Sequence, residues 1–474
     1  MRRTKIVATL GPSSWSLPDV TDLLEAGADV VRINFAHGSG AEHKMAVENA
    51  REAARRLGRE VGVLADLPGP KMRTGPIAGD EVDLELGAPF ILTSEAVEGD
   101  AHRVSTTVGG LHGFTEVGDE IYLGDGEILL KVTATGPSGV TTEVVRGGTL
   151  RSRKGMHLPR GERHVQAFTE EDEIALEEAL RLKVDLVGLS FVRDADDIRR
   201  ARAALPKRGP KPLIMAKIET ASAVQNLESI VTEADAVMVA RGDLGIQMPL
   251  RAVPHLQKEI ICACNLAGKP VVTATQMLES MTRSPLPTRA EVADVANAVL
   301  DNTDALMLSE ETAVGRYPAE TVRKMADIAE AADQAGKDDR NPPLQAHMGD
   351  DRVSWAVAHA AVQAAEHLGV AAILCPTRSG STLFRVASFR PTMRIVALSE
   401  RPEVLDPLSL VWGVTPLRVD PAPESFTAEQ DVDRAVAAAK RAGLARSGEH
   451  VAVVAGTPGR RAGRTDYVRL VRVP

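Results

Sequence analysis

Five short segments carry residue types from which a reaction on an anionic substrate can be built: Arg32-Ile33-Asn34, Asp66, Lys217-Ile218-Glu219, Arg241-Gly242-Asp243 and Thr275. Each closes a short apolar run. Glu219 and Asp243 converge from adjacent runs, with Lys217 one alternation from the first. So sparse a pair of carboxylates suits a hard cation that keeps waters and shares substrate oxygens, so Mg²⁺, with Mn²⁺ as a substitute, fits better than a caged Ca²⁺. Arg32, Arg73 and Lys217 add positive charge. At an effective dielectric of 20, one charge pair at 4 Å is worth about 4 kcal/mol. Distant carboxylates are screened beyond about 8 Å. Local cations therefore overcome the formal net charge of −9. A metal, a lysine and arginines around one mouth suit phosphoryl transfer, whose transition state spreads negative charge over oxygens and asks for positioning and cations. The chain has no GxxxxGK[ST] loop, so a nucleotide would be held in another way. Taken singly, Glu219 and Asp243 read as loop carboxylates, Arg32 as half of a surface ion pair and Thr275 as a cap; their joint placement favours the chemical reading.

The elements that must position these residues are eight apolar runs without polar alternation, the pattern of parallel strands buried on both faces: Ile6–Thr9, Val30–Asn34, Val61–Asp66, Leu186–Phe191, Leu213–Lys217, Ala236–Ala240, Val271–Thr275 and Ala305–Ser309. Stretches of helical period follow, among them Glu42–Leu57, Asp194–Leu205 and Thr288–Leu300. Asp29, Asp185, Asp235 and Asp304 each precede a run, a weak internal echo. Between the third run and the helix predicted over Thr169–Arg181 the texture changes to alternating segments, Glu81–Leu86, Glu120–Leu123, Ile128–Thr133 and Val140–Val145, which read as an inserted β domain. Without it, residues 1–69 and 167–345 amount to about 250 residues, the usual size of a (β/α)8 barrel whose reactive groups sit at the C-terminal strand ends. The fold class expected is thus α/β: a (β/α)8 TIM barrel with a small β-barrel lid inserted at 70–166 and an open α/β domain over 346–474, after a linker rich in Asp, Gly and Pro.

The chain has 474 residues with 44% hydrophobic and 26% charged, enough for more than one core and unlike disordered or fibrous proteins. Its acidic balance argues against nucleic-acid and membrane partners. Cys262, Cys264 and Cys375 form no CxxC pair, so neither a disulfide framework nor a cysteine zinc site is expected. No run reaches the length of a membrane span, and Met1–Leu10 is too brief and too charged for a signal segment. A cytoplasmic location is the expectation.

Val31–Gly38, Gly69–Gly75, Met215–Glu219, Val239–Gly245 and Thr273–Ser280 resemble, in order and spacing, the motifs of the pyruvate kinase family. The resemblance spans the barrel, and the lid and C-terminal domain fall where that family has them. It implies transfer of the phosphoryl group of phosphoenolpyruvate to ADP, giving pyruvate and ATP, the last step of glycolysis. By resemblance, Arg32 binds substrate phosphate, Glu219 and Asp243 hold Mg²⁺, and Gly242, Asp243 and Thr275 contact the pyruvate moiety. Lys217 stabilises the moving phosphoryl group; Arg73, Asn34, His37 and Lys154 meet the nucleotide; Thr275 neighbours the water that protonates the enolate. A homotetramer is implied as well.

Departures from the family pattern carry further expectations. At its monovalent-cation site Asn34 and Asp66 remain, but Ala36 and Leu67 replace two hydroxyl residues, and Gly69-Pro70-Lys71 stands where K⁺-requiring members read Gly-Pro-Glu. The Lys71 ammonium would then occupy the place of K⁺, and activity would not require K⁺. The lid junction Arg163–Gln166 and the segment Ser309-Glu310-Glu311 also differ from the family. In the C-terminal domain, Thr377-Arg378-Ser379-Gly380-Ser381-Thr382 precedes a helix and resembles the family's sugar-phosphate loop, with Arg460, Arg461 and Arg464 placed to close over the same phosphorylated effector. Two other readings stay open: a Mg²⁺-dependent aldolase or lyase on 2-oxo acids, which would need neither Arg73 nor Lys154, and an inactive metabolite-binding paralogue.

Overall fold

The computed structural model describes residues 2–70, 72–124, 126–158, 166–335, 351–421, 427–457 and 463–474. All eight apolar runs are strands of one closed parallel barrel: Lys5–Thr9, Val30–Asn34, Gly62–Asp66, Leu186–Leu189, Leu213–Ile218, Ala236–Ala240, Val271–Ala274 and Ala305–Leu308. Each pairs with its neighbours in the chain, and the eighth closes on the first through Lys5 opposite Ala305. The strands are buried almost throughout because helices cover the outside and side chains fill the inside. The fourth and seventh strands end earlier than expected: Phe191 and Thr275 adopt φ of 55° and 71°, which turns the chain out of the sheet.

The repeated aspartates have a structural reason. Asp29, Asp185, Asp235 and Asp304 each precede an even-numbered strand and accept a hydrogen bond from the backbone N–H that opens the preceding odd-numbered strand, at Ile6, Val63, Ile214 and Val271 (2.7–3.0 Å). Basic side chains neutralise each: Arg2 for Asp29, Arg51 for Asp185, Arg202 for Asp235 and Arg390 for Asp304. This ring of latches sits at the end of the barrel remote from the reactive residues.

Helices begin where the sequence supplies caps. Ser39, Thr169 and Thr288 form capping boxes with Glu42, Asp172 and Glu291, so the first backbone N–H groups of helices Gly40–Leu57, Glu170–Arg181 and Arg289–Leu300 are satisfied.

The insertion is β structure with more strands than the sequence pattern disclosed. A six-stranded sheet runs Met156–His157, Glu120–Leu123, Ile128–Gly136, Gly139–Arg146, Pro89–Thr93, Arg103–Ser105, and a ribbon pairs Glu81–Leu84 with Gly148–Arg151. Rather than one continuous hydrogen-bonded ring, the barrel-like lid is these two sheets around a shared core that includes Leu84, Phe90, Ile121, Leu130 and Leu150.

The C-terminal part is an open sheet, ordered Val414–Arg418, Arg394–Ser399, Ala372–Pro376, His450–Ala455, Tyr467–Arg472, parallel except for the last strand. Helices Arg352–Leu368 and Ser381–Ser388 cover one face and Ala428–Arg441 the other. The domain docks on the latch end of the barrel. Leu410, wholly buried, joins the side chains that fill the barrel interior, and Arg390 reaches Asp304 in a pair with both side chains under 7% exposed.

Candidate active site

The reactive residues meet at the C-terminal ends of the strands, as barrel geometry requires. Lys217, at the end of the fifth strand, donates to Ser190 Oγ (2.8 Å) and pairs with Glu219 Oε1 (2.9 Å) and Asp66 Oδ1 (3.2 Å), the last without hydrogen-bond geometry. Arg32, from the second strand, binds Asp66 Oδ2 through Nε and Nη2 (2.8 and 2.7 Å) and donates to Thr9 Oγ1 (3.0 Å). Three strands, the second, third and fifth, thus place two cations around one buried carboxylate. Gly188 makes room for it: a Cβ there would lie 3.1 Å from Asp66 Oδ1.

Protonation follows from these neighbours. Burial pulls the Lys217 ammonium towards losing its proton, but Asp66 and Glu219 outweigh that and hold it above its ordinary value, so it stays charged. Burial would raise Asp66, yet Lys217 and Arg32 bring it below the usual carboxylate range. Glu219 moves the other way. Burial, reinforced by Asp243, raises it despite Lys217 and the Phe191 N–H that donates to its Oε2 (2.6 Å).

That last shift bears on a metal. Asp243 lies in the first turn of the helix Arg241–Gln247, half-buried and close enough to Glu219 to disfavour its ionisation. Arg32 and Lys217 face Asp66, Glu219 and Asp243, two cations against three carboxylates, so one divalent cation would turn the cluster from net negative to net positive. Among the described residues no group of three or more His, Cys, Asp or Glu forms a metal cage. The donor set therefore fits an oxygen-seeking ion that completes its shell with water and substrate.

The substrate-contact candidates are joined. Gly242 N donates to Thr275 Oγ1 (2.8 Å), and the Thr275 hydroxyl donates to the Ala274 carbonyl (2.7 Å). On the nucleotide side the residues are looser. Asn34 Oδ1 accepts the Ala36 N–H (3.1 Å), and His37 is exposed. Arg73 and Lys154 lie in the lid, where the Arg73 guanidinium donates to the Arg153 carbonyl (3.0 Å) and the Lys154 side chain is exposed. The lid tip leans towards the site, since a Cβ on Gly126 would lie 3.6 Å from Ile246 Cγ1 of the helix bearing Asp243. Lys71 and the junction residues 163–165 lie outside the described residues.

In the loop Thr377–Thr382, expected to meet a phosphorylated ligand, Thr377 Oγ1 accepts Gly380 N–H (2.8 Å) and the Ser379 and Ser381 hydroxyls face each other (3.2 Å), with Arg378 beside them. Thr382 is buried at the start of the following helix, its hydroxyl 2.8 Å from Thr465 Oγ1. Arg460 and Arg461 lie outside the described residues.

Sequence reasoning missed Thr9 and Ser190, whose hydroxyls support Arg32 and Lys217. Both stand at strand ends, and the positional rule that found Glu219 would have found them had uncharged side chains been weighed.

Residues 1–322 match the family described as "Pyruvate kinase, barrel domain" and residues 355–471 that described as "Pyruvate kinase, alpha/beta domain". A pyruvate kinase of Geobacillus stearothermophilus is 40% identical, over 99% of this chain and 80% of its own length. One of Thermococcus litoralis is 39% identical, over 100% and 99%. The crystal structure of a pyruvate kinase from Cryptosporidium parvum superposes with a TM-score of 0.91 at 32% identity, covering all of this chain and 96% of the other. With both domains matched, the relatives aligned along almost its whole length and the strand-end cluster in place, the chain belongs to the pyruvate kinase family.

Proposed function

We propose that the barrel mouth catalyses phosphoryl transfer from phosphoenolpyruvate to ADP, giving pyruvate and ATP, with the residue roles that follow. The observation that carries the reading is the Lys217 ammonium, kept charged between Asp66 and Glu219 beside the guanidinium of Arg32. Arg32 binds the substrate phosphate, held in place by Asp66 and Thr9. Lys217 neutralises the phosphoryl oxygens as the bond to the enol oxygen lengthens. Glu219 and Asp243 would hold Mg²⁺, which supplies further positive charge to the same oxygens when bound. Gly242, Asp243 and Thr275 orient the carboxylate end of the substrate, and Thr275 neighbours the water that returns a proton to the enolate carbon. Arg73, Lys154, Asn34 and His37 meet the diphosphate.

The activity does not require K⁺ in this reading. Support comes from the sequence, where Ala36 and Leu67 stand in place of two hydroxyl residues of the family's cation site and Lys71 in place of its glutamate. Residues 1–69 and 167–345 act as the catalytic unit, 70–166 as the lid, and 346–474 as a domain that binds a phosphorylated effector at Thr377–Thr382. The assembly is a homotetramer in the cytoplasm; no helix among the described residues is long and apolar enough to cross a membrane.

A coupled pyruvate assay with phosphoenolpyruvate and ADP tests this. Turnover should appear with Mg²⁺, vanish with a chelator and change less than twofold on adding K⁺ to alkali-free buffer. A rise of orders of magnitude with K⁺ would reject the cation reading, and no pyruvate at all would reject the reaction.

A further inference from the structure

Thr275 and Gln276 carry φ of 71° and 53°, two consecutive non-glycine residues in the left-handed region. For a β-branched residue this is an outlier that persists only where the surroundings over-determine it. The surroundings here are specific. Arg241, the first residue of the helix Arg241–Gln247, turns its guanidinium onto the strained turn: Nη2 donates to the Thr275 carbonyl (2.8 Å) and approaches Met277 Sδ (2.7 Å), and Nε donates to the Ala274 carbonyl (3.3 Å). The far side of the guanidinium is fixed by Asp294 (2.7 Å) and Gln257 (3.3 Å). From the opposite side the buried Glu311 accepts Leu278 N–H (3.2 Å) and Ser309 N–H (2.7 Å). The turn is therefore held at the Ala274 and Thr275 carbonyls by a cation, and the segment that leaves it is held at the Leu278 amide by a carboxylate.

The product of the clamp is the position of one hydroxyl. Thr275 Oγ1 accepts the N–H of Gly242, the residue next to Arg241, so the guanidinium and the amide that touch Thr275 come from one helix start. We propose that Arg241, oriented by Asp294, is a positioning residue for the reaction, keeping Thr275 in the left-handed conformation that presents its hydroxyl to Gly242 and to the substrate. The inference rests on the reading that Gly242 and Thr275 contact substrate. A lysine cannot replace the guanidinium, because a single ammonium does not span the Thr275 carbonyl, the Ala274 carbonyl and Asp294 in one plane.

Crystal structures and kinetics of Arg241→Met, Arg241→Lys and Asp294→Asn in the full chain test the proposal. In Arg241→Met, φ of Thr275 should turn negative and the contact from Gly242 N to Thr275 Oγ1 should open. Its kcat should fall tenfold or more, while KM for ADP stays within twofold because the nucleotide groups lie elsewhere. Arg241→Lys should regain only part of kcat, and Asp294→Asn should fall between it and wild type. A merely structural arginine would lower Tm and leave kcat of the folded enzyme unchanged. An Arg241→Met structure with Thr275 still left-handed, or with wild-type kcat, overturns the proposal. Should Arg241→Met fail to fold, the same two readouts on Asp294→Asn decide. Absence of pyruvate formation by wild type would instead refute the reaction, and the Thr275 geometry would still decide the role of Arg241.

Discussion

At the scale of single residues, Lys217 is the group with the most to lose. Three partners converge on its ammonium, and each loses that contact when it is replaced by an apolar chain of similar length. Lys217→Met should lower kcat by at least about 10²–10³-fold, the usual effect of deleting one preorganised donor to transition-state charge. KM for ADP should change little, and a coupled pyruvate assay reads both. The same residues show what a linear sequence discloses. Glu219 and Asp243 were legible because a charge at the end of an apolar run is conspicuous, whereas Thr9 and Ser190 stand at strand ends without a charge, and their partners, like the Thr275 carbonyl held by Arg241, lie 23 to 34 residues away on the neighbouring strand, so only strand pairing discloses what they do.

At the scale of elements, the barrel strands were legible because burial on both faces forbids polar alternation. The lid strands Pro89–Thr93, Arg103–Ser105 and Gly148–Arg151 were not, since each is short and half-exposed, and they are recognised as strands only through their pairing. Helix starts matter to the site as well. Glu291 completes the capping box of Thr288 and also accepts Ser280 N–H and Oγ–H (2.7 and 2.6 Å), tying the segment after Thr275 to the helix that carries Asp294. Removing the cap by Thr288→Ala should cost about 1 kcal/mol of stability. The check is a fall of a few degrees in Tm with the Michaelis constants unchanged.

At the scale of the whole molecule, barrel and C-terminal domain share buried charges. Arg390 lies 3.0 Å from Asp304 and over the Trp412 ring (5.0 Å), and Trp412 N–H donates to the same carboxylate (3.2 Å). Arg390→Met leaves Asp304 buried without a counter-charge and should cost about 3–5 kcal/mol, read by chemical denaturation. Nearby, Arg51 is shared between Asp185 and Asp406, while Glu60 beside them pairs with Arg418, so two cations serve three carboxylates. Burial, with Asp185 and Glu60 close by, pushes Asp406 up to about 8 against the pull of Arg51. A carboxyl that binds its proton more tightly when folded stabilises the fold below its unfolded pKa and loses that contribution as pH rises through about 8. Wild-type Tm should therefore carry a declining contribution from this group as pH rises from about 4 to about 8, and Asp406→Asn, which mimics the neutral form, should flatten that part of the profile. A profile identical to wild type would show that Asp406 is already ionised.

Leu410 gives this docking a mechanical meaning. It packs among Leu64 and Met215, and two residues further along the same strands, on the same inward side, stand Asp66 and Lys217. The floor of the reaction chamber thus belongs to a different domain from its walls, and the column between them is close-packed and nearly incompressible. A displacement of the Asp406–Leu410 segment would press on this column from below, beneath the ammonium. A ligand seated far from the chemistry would need only to tilt its own domain to be felt there.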